Sequence, residues 1–311
     1  MGKASDANDI GEIARIRSNG RDNVIRAIVP KIIDKADTVC RSGSQHDNPL
    51  HKGGDTDMHP AAVKCHEADI RSLTDHETTV VYFQPKVHLQ TGEIAGFEAL
   101  LRLLRDDGSV ASPLERFEAL EELPRPLRTI IHHDVMVRVL PDAYLVQRAM
   151  DLPVAVNIHP DLLGHEPSMR WLLQQEAGGM ILELTETGRI TDFSVANEAT
   201  RKLRRRGYKI SIDDFGKGYS TASVLAHLAC VDEVKIDANF LRSPRAPKML
   251  PGMCHVVHEA GAVVTIEGVE SPDDHDLCRA ARANYAQGYW YGVPAPADVV
   301  THMESLRIGA A

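Results

Sequence analysis

Aromatic residues are missing from the first quarter of the chain. The 311 residues include six Phe, two Trp and seven Tyr, and all fifteen occur at or after Tyr82. A segment without aromatic side chains buries little apolar area per residue and is a poor candidate for a large core. Isoleucines and valines recur at helical spacing between Ile10 and Ile33, interrupted by Pro30. We therefore predict a short helical or partly disordered N-terminal segment and linker over 1–78, followed by one large domain over 79–311.

Paired cysteines, long apolar runs and excess positive charge are also missing. The five cysteines are scattered without a Cys-x-x-Cys pair, a pattern typical of reduced thiols rather than of a disulfide or zinc framework. No run reaches the roughly 18 apolar residues of a membrane span, and the N-terminus lacks the apolar core of a signal peptide. The net charge of −9 disfavours nonspecific attraction to nucleic acid or to anionic membranes. We expect a cytoplasmic protein that binds neither specific nucleic acid nor a membrane.

Short β-branched or apolar runs alternate with helical stretches from Val80 onward. The predicted strands are Val80–Gln84, Ile94–Leu100, Val154–Ile158, Met180–Leu184, Lys209–Asp213, Val234–Asp237, Val263–Glu267 and Tyr285–Tyr289. The predicted helices between them include Leu127–Gln147, Phe193–Arg206, Pro247–Ala260 and Asp274–Ala283. Alternation of this kind indicates βα units around a parallel sheet. About eight strands in some 230 residues favour an α/β fold of the TIM-barrel type over an open doubly wound sheet.

Acidic and amide residues stand at or near the ends of these predicted strands. They are Glu98, Asn157, Glu183, Asp213, Asp214, Glu267 and Gln287. In a barrel the carboxyl ends of the strands meet on one face, where converging carboxylates repel one another. A divalent cation removes that repulsion, and an all-oxygen ligand set favours Mg²⁺, Mn²⁺ or Ca²⁺ over zinc. The pattern therefore predicts metal-dependent chemistry at this face.

The adjacent acids Asp213 and Asp214 indicate that two ions are held. Successive side chains of a strand point to opposite faces, so both carboxylates reach one site only where the strand is ending. Two ions about 3.5–4 Å apart suit cleavage of a phosphodiester by an activated water. Lys235, on the predicted strand EVKID, is placed to orient that water or to neutralise charge on the phosphate.

Seven ordered motifs spread over more than two hundred residues resemble one protein family. They are YFQPKVHLQTGEIAGFEALLR, VNIHP, LELTET, IDDFGKGYS, VKID, IEGVE and YAQGYWYGVP. The stretch from about Tyr82 to Ala297 resembles the EAL domain of cyclic di-GMP phosphodiesterases, named for the triplet that stands here as Glu98-Ala99-Leu100. The resemblance implies a modified TIM (β/α)8 barrel with one antiparallel strand. It also implies hydrolysis of cyclic di-GMP to linear 5′-pGpG with two Mg²⁺ or Mn²⁺ ions, inhibition by Ca²⁺, and a homodimer.

The same resemblance implies roles for individual residues. The implied metal ligands are Glu98, Asn157, Glu183, Asp213, Asp214 and Glu267. The implied catalytic residues are Lys235, Glu267, Asp214 and Glu98, and the implied substrate-binding residues are Gln84, Leu100, Arg102 and Gln287. Glu186 corresponds to the glutamate that anchors the loop after Asp214, through which the family couples dimerisation to metal binding. Glu270 corresponds to a supporting glutamate.

Three residues depart from the family pattern. Lys217 replaces a small residue in the loop after Asp214, where its charge would alter loop mobility or the dimer contact while sparing the ligands. Ile266 replaces an alanine and would either shift Glu267 or fill a pocket in the barrel wall. His159 replaces a serine and is interpreted either as a solvated surface group or as a pH-sensitive contact. Since no implied ligand is missing, an active enzyme is expected; the alternative is a non-hydrolytic cyclic di-GMP receptor or a protein-binding adaptor.

Overall fold

The computed structural model describes Leu73 and residues 79–303 of the chain. Apart from Leu73, the N-terminal segment predicted over 1–78 lies outside the described residues, and so do residues 304–311. The helical character of that segment and the domain boundary placed after residue 78 remain predictions from the sequence.

Eight of the ten strands in the described part of the chain close into a barrel. The strands are β1 (Thr79–His88), β2 (Ile94–Leu104), β3 (Val110–Ala111), β4 (Val154–Ile158), β5 (Ile181–Leu184), β6 (Lys209–Phe215), β7 (Glu233–Ile236), β8 (Val263–Ile266), β9 (Tyr285–Gln287) and β10 (Ala295–Pro296). The order around the barrel is β1-β2-β4-β5-β6-β7-β8-β9, and β9 pairs back with β1. β1 runs antiparallel to both neighbours, while the other six adjacent pairs are parallel. The predicted modified TIM barrel with one antiparallel strand is confirmed.

Helices cover the outside of the barrel. They are α1 (Leu114–Glu121), α2 (Arg125–Met150), α3 (Glu166–Gln174), α4 (Phe193–Arg206), α5 (Ala222–His227), α6 (Ala238–Leu241), α7 (Ala246–Glu259), α8 (Pro272–Ala280) and α9 (Ala297–Val300), with a 3₁₀ helix at Pro160–Gly164. Local sequence sets their ends: Asp192 caps the first backbone N–H groups of α4, and Gly207 ends it with a positive φ of 106°. Within 79–303, no helix combines the length and apolar character needed to cross a bilayer.

All eight predicted barrel strands are present, but several bounds differ. β1 continues four residues beyond Gln84, through Pro85 and Lys86, which broke the apolar pattern in the sequence. β9 ends at Gln287 instead of Tyr289, because the chain turns at Gly288. The strands β3 and β10 were not predicted, since two residues carry no periodicity.

Two of the three residues that depart from the family pattern are buried. Ile266 is fully buried in the hydrophobic layer between strands and helices, so it fills the barrel wall. His159, directly after β4, is only 2% exposed. The interpretation of His159 as a solvated surface group is therefore wrong, because the segment after β4 turns inward against α1 and α2 rather than out to solvent.

Side chains of the strands alternate between the helical layer and the barrel interior. On β7, Val234 and Ile236 are fully buried in the apolar layer, whereas Glu233 and Lys235 make their polar contacts across the inside of the barrel. Glu233 forms a buried ion pair with Lys86 of β1, with Nζ–O distances of 2.7 and 2.8 Å, and also accepts a hydrogen bond from Thr265. This pair crosses the barrel interior and links the antiparallel strand β1 to β7, from which β9 and β8 separate it in the sheet.

Breaking this pair from one side is expected to destabilise the fold. Lys86→Met leaves the Glu233 carboxylate buried without its cation, which should lower the free energy of unfolding by about 3–5 kcal/mol. Urea denaturation followed by circular dichroism measures the change. The double variant Lys86→Met, Glu233→Gln is the matched control and should recover much of the loss. A single variant within about 1 kcal/mol of the unmodified protein would contradict this expectation.

Candidate active site

A single buried ammonium group lies at the centre of the acidic end of the barrel. Lys235 is almost completely inaccessible, with 1% of its side chain exposed. Its Nζ atom lies 2.8 Å from Glu267, 3.0 Å from Glu183, 3.0 Å from Asp213 and 3.3 Å from Glu98. Four carboxylates from four different strands or strand ends therefore surround one positive charge.

The parallel register brings these groups together from distant parts of the sequence. Asn157 of β4 lies directly opposite Glu183 of β5, and both stand near the carboxyl ends of their strands. The Nδ2 group of Asn157 donates a hydrogen bond of 3.0 Å to Glu98 of β2. The predicted convergence of strand-end acids on one face is observed in the structure.

A local irregularity presents Asp213 and Asp214 to the same site. Instead of ending, β6 continues to Phe215, with its register against β7 shifted between Ile212 and Phe215. Asp214 adopts a left-handed backbone conformation, with φ of 47°, which is uncommon for a non-glycine residue. Single carboxylate oxygens of Asp213, Asp214 and Glu267 thereby come within 4.8 Å of one another.

The site carries more negative charge than Lys235 neutralises. Burial, and then repulsion from neighbouring carboxylates, raises the pKa values of Glu183, Asp213 and Glu267 despite the attraction of Lys235. Glu98 differs: burial would raise its pKa, but Lys235, Gln287 and Asn157 together hold it below its usual value. Desolvation would lower the pKa of Lys235, yet the surrounding acids hold it well above its ordinary value. The cluster is thus electrostatically suited to additional cations.

The donor atoms fit hard divalent cations. Carboxylate and amide oxygens supply the predicted ligand set, and such sets favour Mg²⁺ or Mn²⁺ over zinc. The Oδ1 atom of Asn157 is buried and makes no hydrogen bond among the described residues, whereas its Nδ2 group is occupied by Glu98. A buried acceptor without a donor costs free energy unless a ligand uses it. The amide is therefore oriented with its free oxygen available to a metal.

A cleft of about 360 Å³ opens beside the acidic cluster. Its lining residues are Gln84, Glu98, Leu100, Glu267, Gly268, Glu270, Gln287, Gly288 and Tyr289. Gln287 donates hydrogen bonds to Glu98 (2.6 Å) and to Gln84 (3.1 Å). Three of the four predicted substrate residues thus line the cleft. The fourth, Arg102, is half-buried near Glu98 and donates a hydrogen bond of 2.9 Å to the Leu101 carbonyl.

Tyr289 brings a large side chain to the cleft and was not singled out from the sequence. Its side chain is 65% exposed, so its ring is available for stacking against a planar ligand. Gly288 permits this arrangement, because a Cβ atom there would lie 2.2 Å from the Val269 carbonyl oxygen. The signal was present as the aromatic run YWY after Gln287, but the sequence did not show which ring faces the site.

The loop after β6 is tied to Glu186 by an ion pair and a backbone hydrogen bond. The Nζ atom of Lys217 lies 2.8 Å from Asp214 Oδ2 and 3.2 Å from Glu186 Oε1. The Tyr219 N–H donates to the Glu186 carbonyl, and Gly218 approaches that same carbonyl too closely for any other residue. Lys217 was expected to spare the implied metal ligands, and in the structure it forms an ion pair with one of them, Asp214.

A closed barrel with one reversed strand and an acidic, lysine-centred mouth defines the class of this protein, and the comparisons agree. The sequence profile of the EAL domain matches residues 67–294. The chain belongs to the EAL domain family. It is similar to an uncharacterized signaling protein of Caulobacter vibrioides, with 30% identity over 75% of this chain and 29% of that protein.

Two further similarities come from a relative and from a solved structure. The cyclic di-GMP phosphodiesterase PdeR of Escherichia coli is 28% identical over 74% of this chain and 36% of that protein. The PaMucR phosphodiesterase in complex with c-di-GMP matches with a TM-score of 0.62 and 26% identity, covering 76% of this chain and 99% of that one. The chain therefore spans only about a third of the length of the two relatives.

Divalent cations are expected to stabilise the fold through the acidic cluster. An ion that binds only the folded state adds about 2.7 kcal/mol at one hundred times its dissociation constant. Thermal unfolding with and without Mg²⁺ measures the effect as a rise in Tm. Asp213→Asn should abolish most of that rise, while Glu259→Gln, a variant of an exposed glutamate on α7 outside the cluster, should retain it. Equal rises in both variants would place the stabilising ion elsewhere.

Proposed function

We propose that this domain hydrolyses cyclic di-GMP to linear 5′-pGpG, with two divalent cations held in the acidic mouth of the barrel. Family membership and the similarity to cyclic di-GMP phosphodiesterases support the substrate and the reaction class. The observation that carries the proposal is the lysine-centred cluster, in which four of the six implied ligands lie within 3.3 Å of Lys235 Nζ. Of the other two, Asn157 donates a hydrogen bond to Glu98, and Asp214 has a carboxylate oxygen within 4.8 Å of ones from Asp213 and Glu267.

The proposed ligands divide between the two ions. Glu98, Asn157, Glu183 and Asp213 would hold the first, and Asp213, Asp214 and Glu267 would hold the second. When bound, such ions supply Lewis acidity and neutralise charge on a phosphodiester. The left-handed turn at Asp214 supports this division, because it directs two consecutive carboxylates into the same site.

Side chains of the protein itself would orient the substrate and stabilise negative charge on its phosphates. Lys235 keeps a proton on Nζ because four carboxylates favour its charged form, so it can donate a hydrogen bond to the attacking water or to a phosphoryl oxygen. Gln287 fixes the Glu98 carboxylate by its 2.6 Å hydrogen bond. Tyr289 offers a face on which a guanine can stack. The guanidinium of Arg102 uses one N–H on the Leu101 carbonyl and keeps others that can donate to a phosphate.

Removing the central cation or its carboxylate partner should abolish turnover. We expect Lys235→Met and Glu98→Gln each to lower hydrolysis by at least about 100-fold, the usual cost of losing one preorganised electrostatic group. Chromatography of cyclic di-GMP reactions in Mg²⁺, Mn²⁺, Ca²⁺ and chelator resolves substrate from pGpG. Glu259→Gln, which changes an exposed glutamate on α7 outside the cleft, is the control and should remain active.

Two results would overturn this function. Formation of pGpG in the presence of chelator would exclude the proposed dependence on metal. Binding of intact cyclic di-GMP without turnover in any metal would instead assign the domain to non-hydrolytic receptors.

The ion pair between Lys217 and Asp214 should raise the metal concentration that the enzyme needs. An ammonium held 2.8 Å from a proposed ligand competes with an incoming cation for the same carboxylate. Lys217→Thr is expected to lower the Mg²⁺ concentration for half-maximal activity about twofold to fivefold, the strength of a partly exposed ion pair. The dissociation constant for Mn²⁺, measured by electron paramagnetic resonance, should fall by the same factor. Lys202→Thr, which removes a surface lysine on α4, is the control and should leave the Mg²⁺ requirement as it is. If the Mg²⁺ requirement of Lys217→Thr equals that of the unmodified protein, the expectation is contradicted.

The homodimer and the cytoplasmic location belong to the same proposal. The loop that connects Asp214 to Glu186 is the segment through which the family couples dimerisation to metal binding, and here Lys217 reinforces that connection. Cys230, Cys254 and Cys278 are buried free thiols, which supports a reducing compartment.

A further inference from the structure

A second group of metal-binding side chains lies outside the acidic mouth. Glu121 at the end of α1, His132 on α2 and His159 directly after β4 converge from three separate elements. The Oε1 atom of Glu121 lies 3.5 Å from Nε2 of His132 and 3.4 Å from Nε2 of His159. None of these three residues has a role in the proposed hydrolysis.

On the side that faces Glu121, the Nε2 atoms of the two imidazoles have only long contacts to the carboxylate. The His159 side chain is fully buried and that of His132 is 10% exposed, and neither Nε2 atom makes a hydrogen bond within the described part of the chain. The contacts to Glu121 are too long or poorly directed to satisfy them. Buried, unpaired nitrogen atoms are costly unless a ligand uses them, so the group is incomplete as it stands.

Two of the ligand-to-ligand distances match the edge of a metal tetrahedron, and all three ligand atoms lie within 4.8 Å of one another. Zinc bonds of about 2.0–2.1 Å to histidine nitrogen and carboxylate oxygen place neighbouring ligand atoms about 3.4 Å apart. The two distances from Glu121 Oε1 are of this size. The imidazole rings are stacked, with centroids 4.3 Å apart and planes 9° from parallel. An ion bound through Nε2 lies in the plane of the imidazole ring, so the two parallel rings must rotate about their χ2 torsions and out of their stack to share one.

A supporting carboxylate is already in place behind His159. Its Nδ1 atom lies 3.5 Å from Oδ2 of Asp161, which is held by ion pairs of 2.8 Å to Arg125 and to Arg128. Histidines that bind metals commonly donate their second N–H to such a carboxylate. The Asp161 backbone N–H donates to Nδ1, which places the imidazole proton on Nε2. Binding through Nε2 would move that proton to Nδ1 and would exchange the backbone hydrogen bond for one to the Asp161 carboxylate.

The protonation states at neutral pH also suit a metal. Burial lowers the pKa of His132, which keeps its imidazole neutral. Burial alone would raise the pKa of Glu121, but the two histidines and Arg128 outweigh that effect and lower it to about 2. Glu121 is 22% exposed, so an ion and a water molecule as fourth ligand can enter from its side.

We propose that Glu121, His132 and His159 form a transition-metal site, best matched to Zn²⁺, that is separate from the all-oxygen site in the barrel mouth. Two nitrogens and one carboxylate oxygen select zinc or a similar borderline ion over Mg²⁺. A bound ion would join α1 and α2 to the end of β4, two residues beyond Asn157. This inference does not depend on the proposed hydrolysis.

Cobalt spectroscopy of the full chain tests the site. Four-coordinate Co²⁺ with nitrogen ligands absorbs visible light strongly, whereas octahedral Co²⁺ with oxygen ligands absorbs weakly, so the two sites give different spectra. Metal-free protein titrated with Co²⁺ should develop the strong band with one equivalent, and Zn²⁺ should remove it. The double variant Glu98→Gln, Asp213→Asn should keep the band, because it changes only the mouth.

Variants assign the band to these three residues among the fifteen histidines of the chain. His132→Gln and His159→Asn should lose it. Glu121→Gln preserves the size of the side chain and should fold normally, and it should weaken Co²⁺ binding at least about tenfold. His133→Gln, the neighbouring histidine that contacts Ser168 instead, is the matched control and should retain the band. Only weak absorption from the unmodified protein, or a strong band that survives in both Glu121→Gln and His132→Gln, would overturn the proposal.

Discussion

The repulsion among carboxylates around Lys235 is the constraint on which the functional end of the barrel depends. Burying several acids together is unfavourable, and one ammonium group compensates only part of their charge. The fold tolerates the cluster because rigid parallel strands hold each acid in place, and because amides from Asn157 and Gln287 stabilise Glu98. The remaining excess of negative charge is what makes the site receptive to divalent cations.

Buried charges that compensate each other also occur deeper in the barrel, outside the acidic mouth. Lys86 and Glu233 form a buried ion pair at a level where many barrels carry apolar side chains. Lys86 and Glu233 lie on strands that are not neighbours in the barrel, so the pair fixes the position of the antiparallel strand β1 relative to β7. Since β1 also carries Gln84, which accepts a hydrogen bond from Gln287, the geometry of the cleft depends on this internal connection.

Three departures from the family pattern have three different physical consequences. Ile266 fills the apolar wall, Lys217 places a competing cation on Asp214, and His159 joins a nitrogen-rich group on the outside of β4. The last two positions are short distances along the chain from Asp213 and Asn157. The proposed metal sites of this domain therefore lie beside the loops that follow β4 and β6.

Periodicity in the sequence predicted the barrel and the acids near strand ends, because such patterns are local; the reversed strand was implied only by the ordered motifs that resemble the family. The sequence left the two-residue strands β3 and β10 and the full length of β1 unpredicted, since pairing across the barrel holds them in place. Only the tertiary structure decided that Asp213 and Asp214 share a face, through the left-handed turn at Asp214. It also decided that His159 is buried beside Glu121 and His132, residues 38 and 27 positions away. Contacts at such separations depend on how helices pack against strands, and no local pattern encodes that packing.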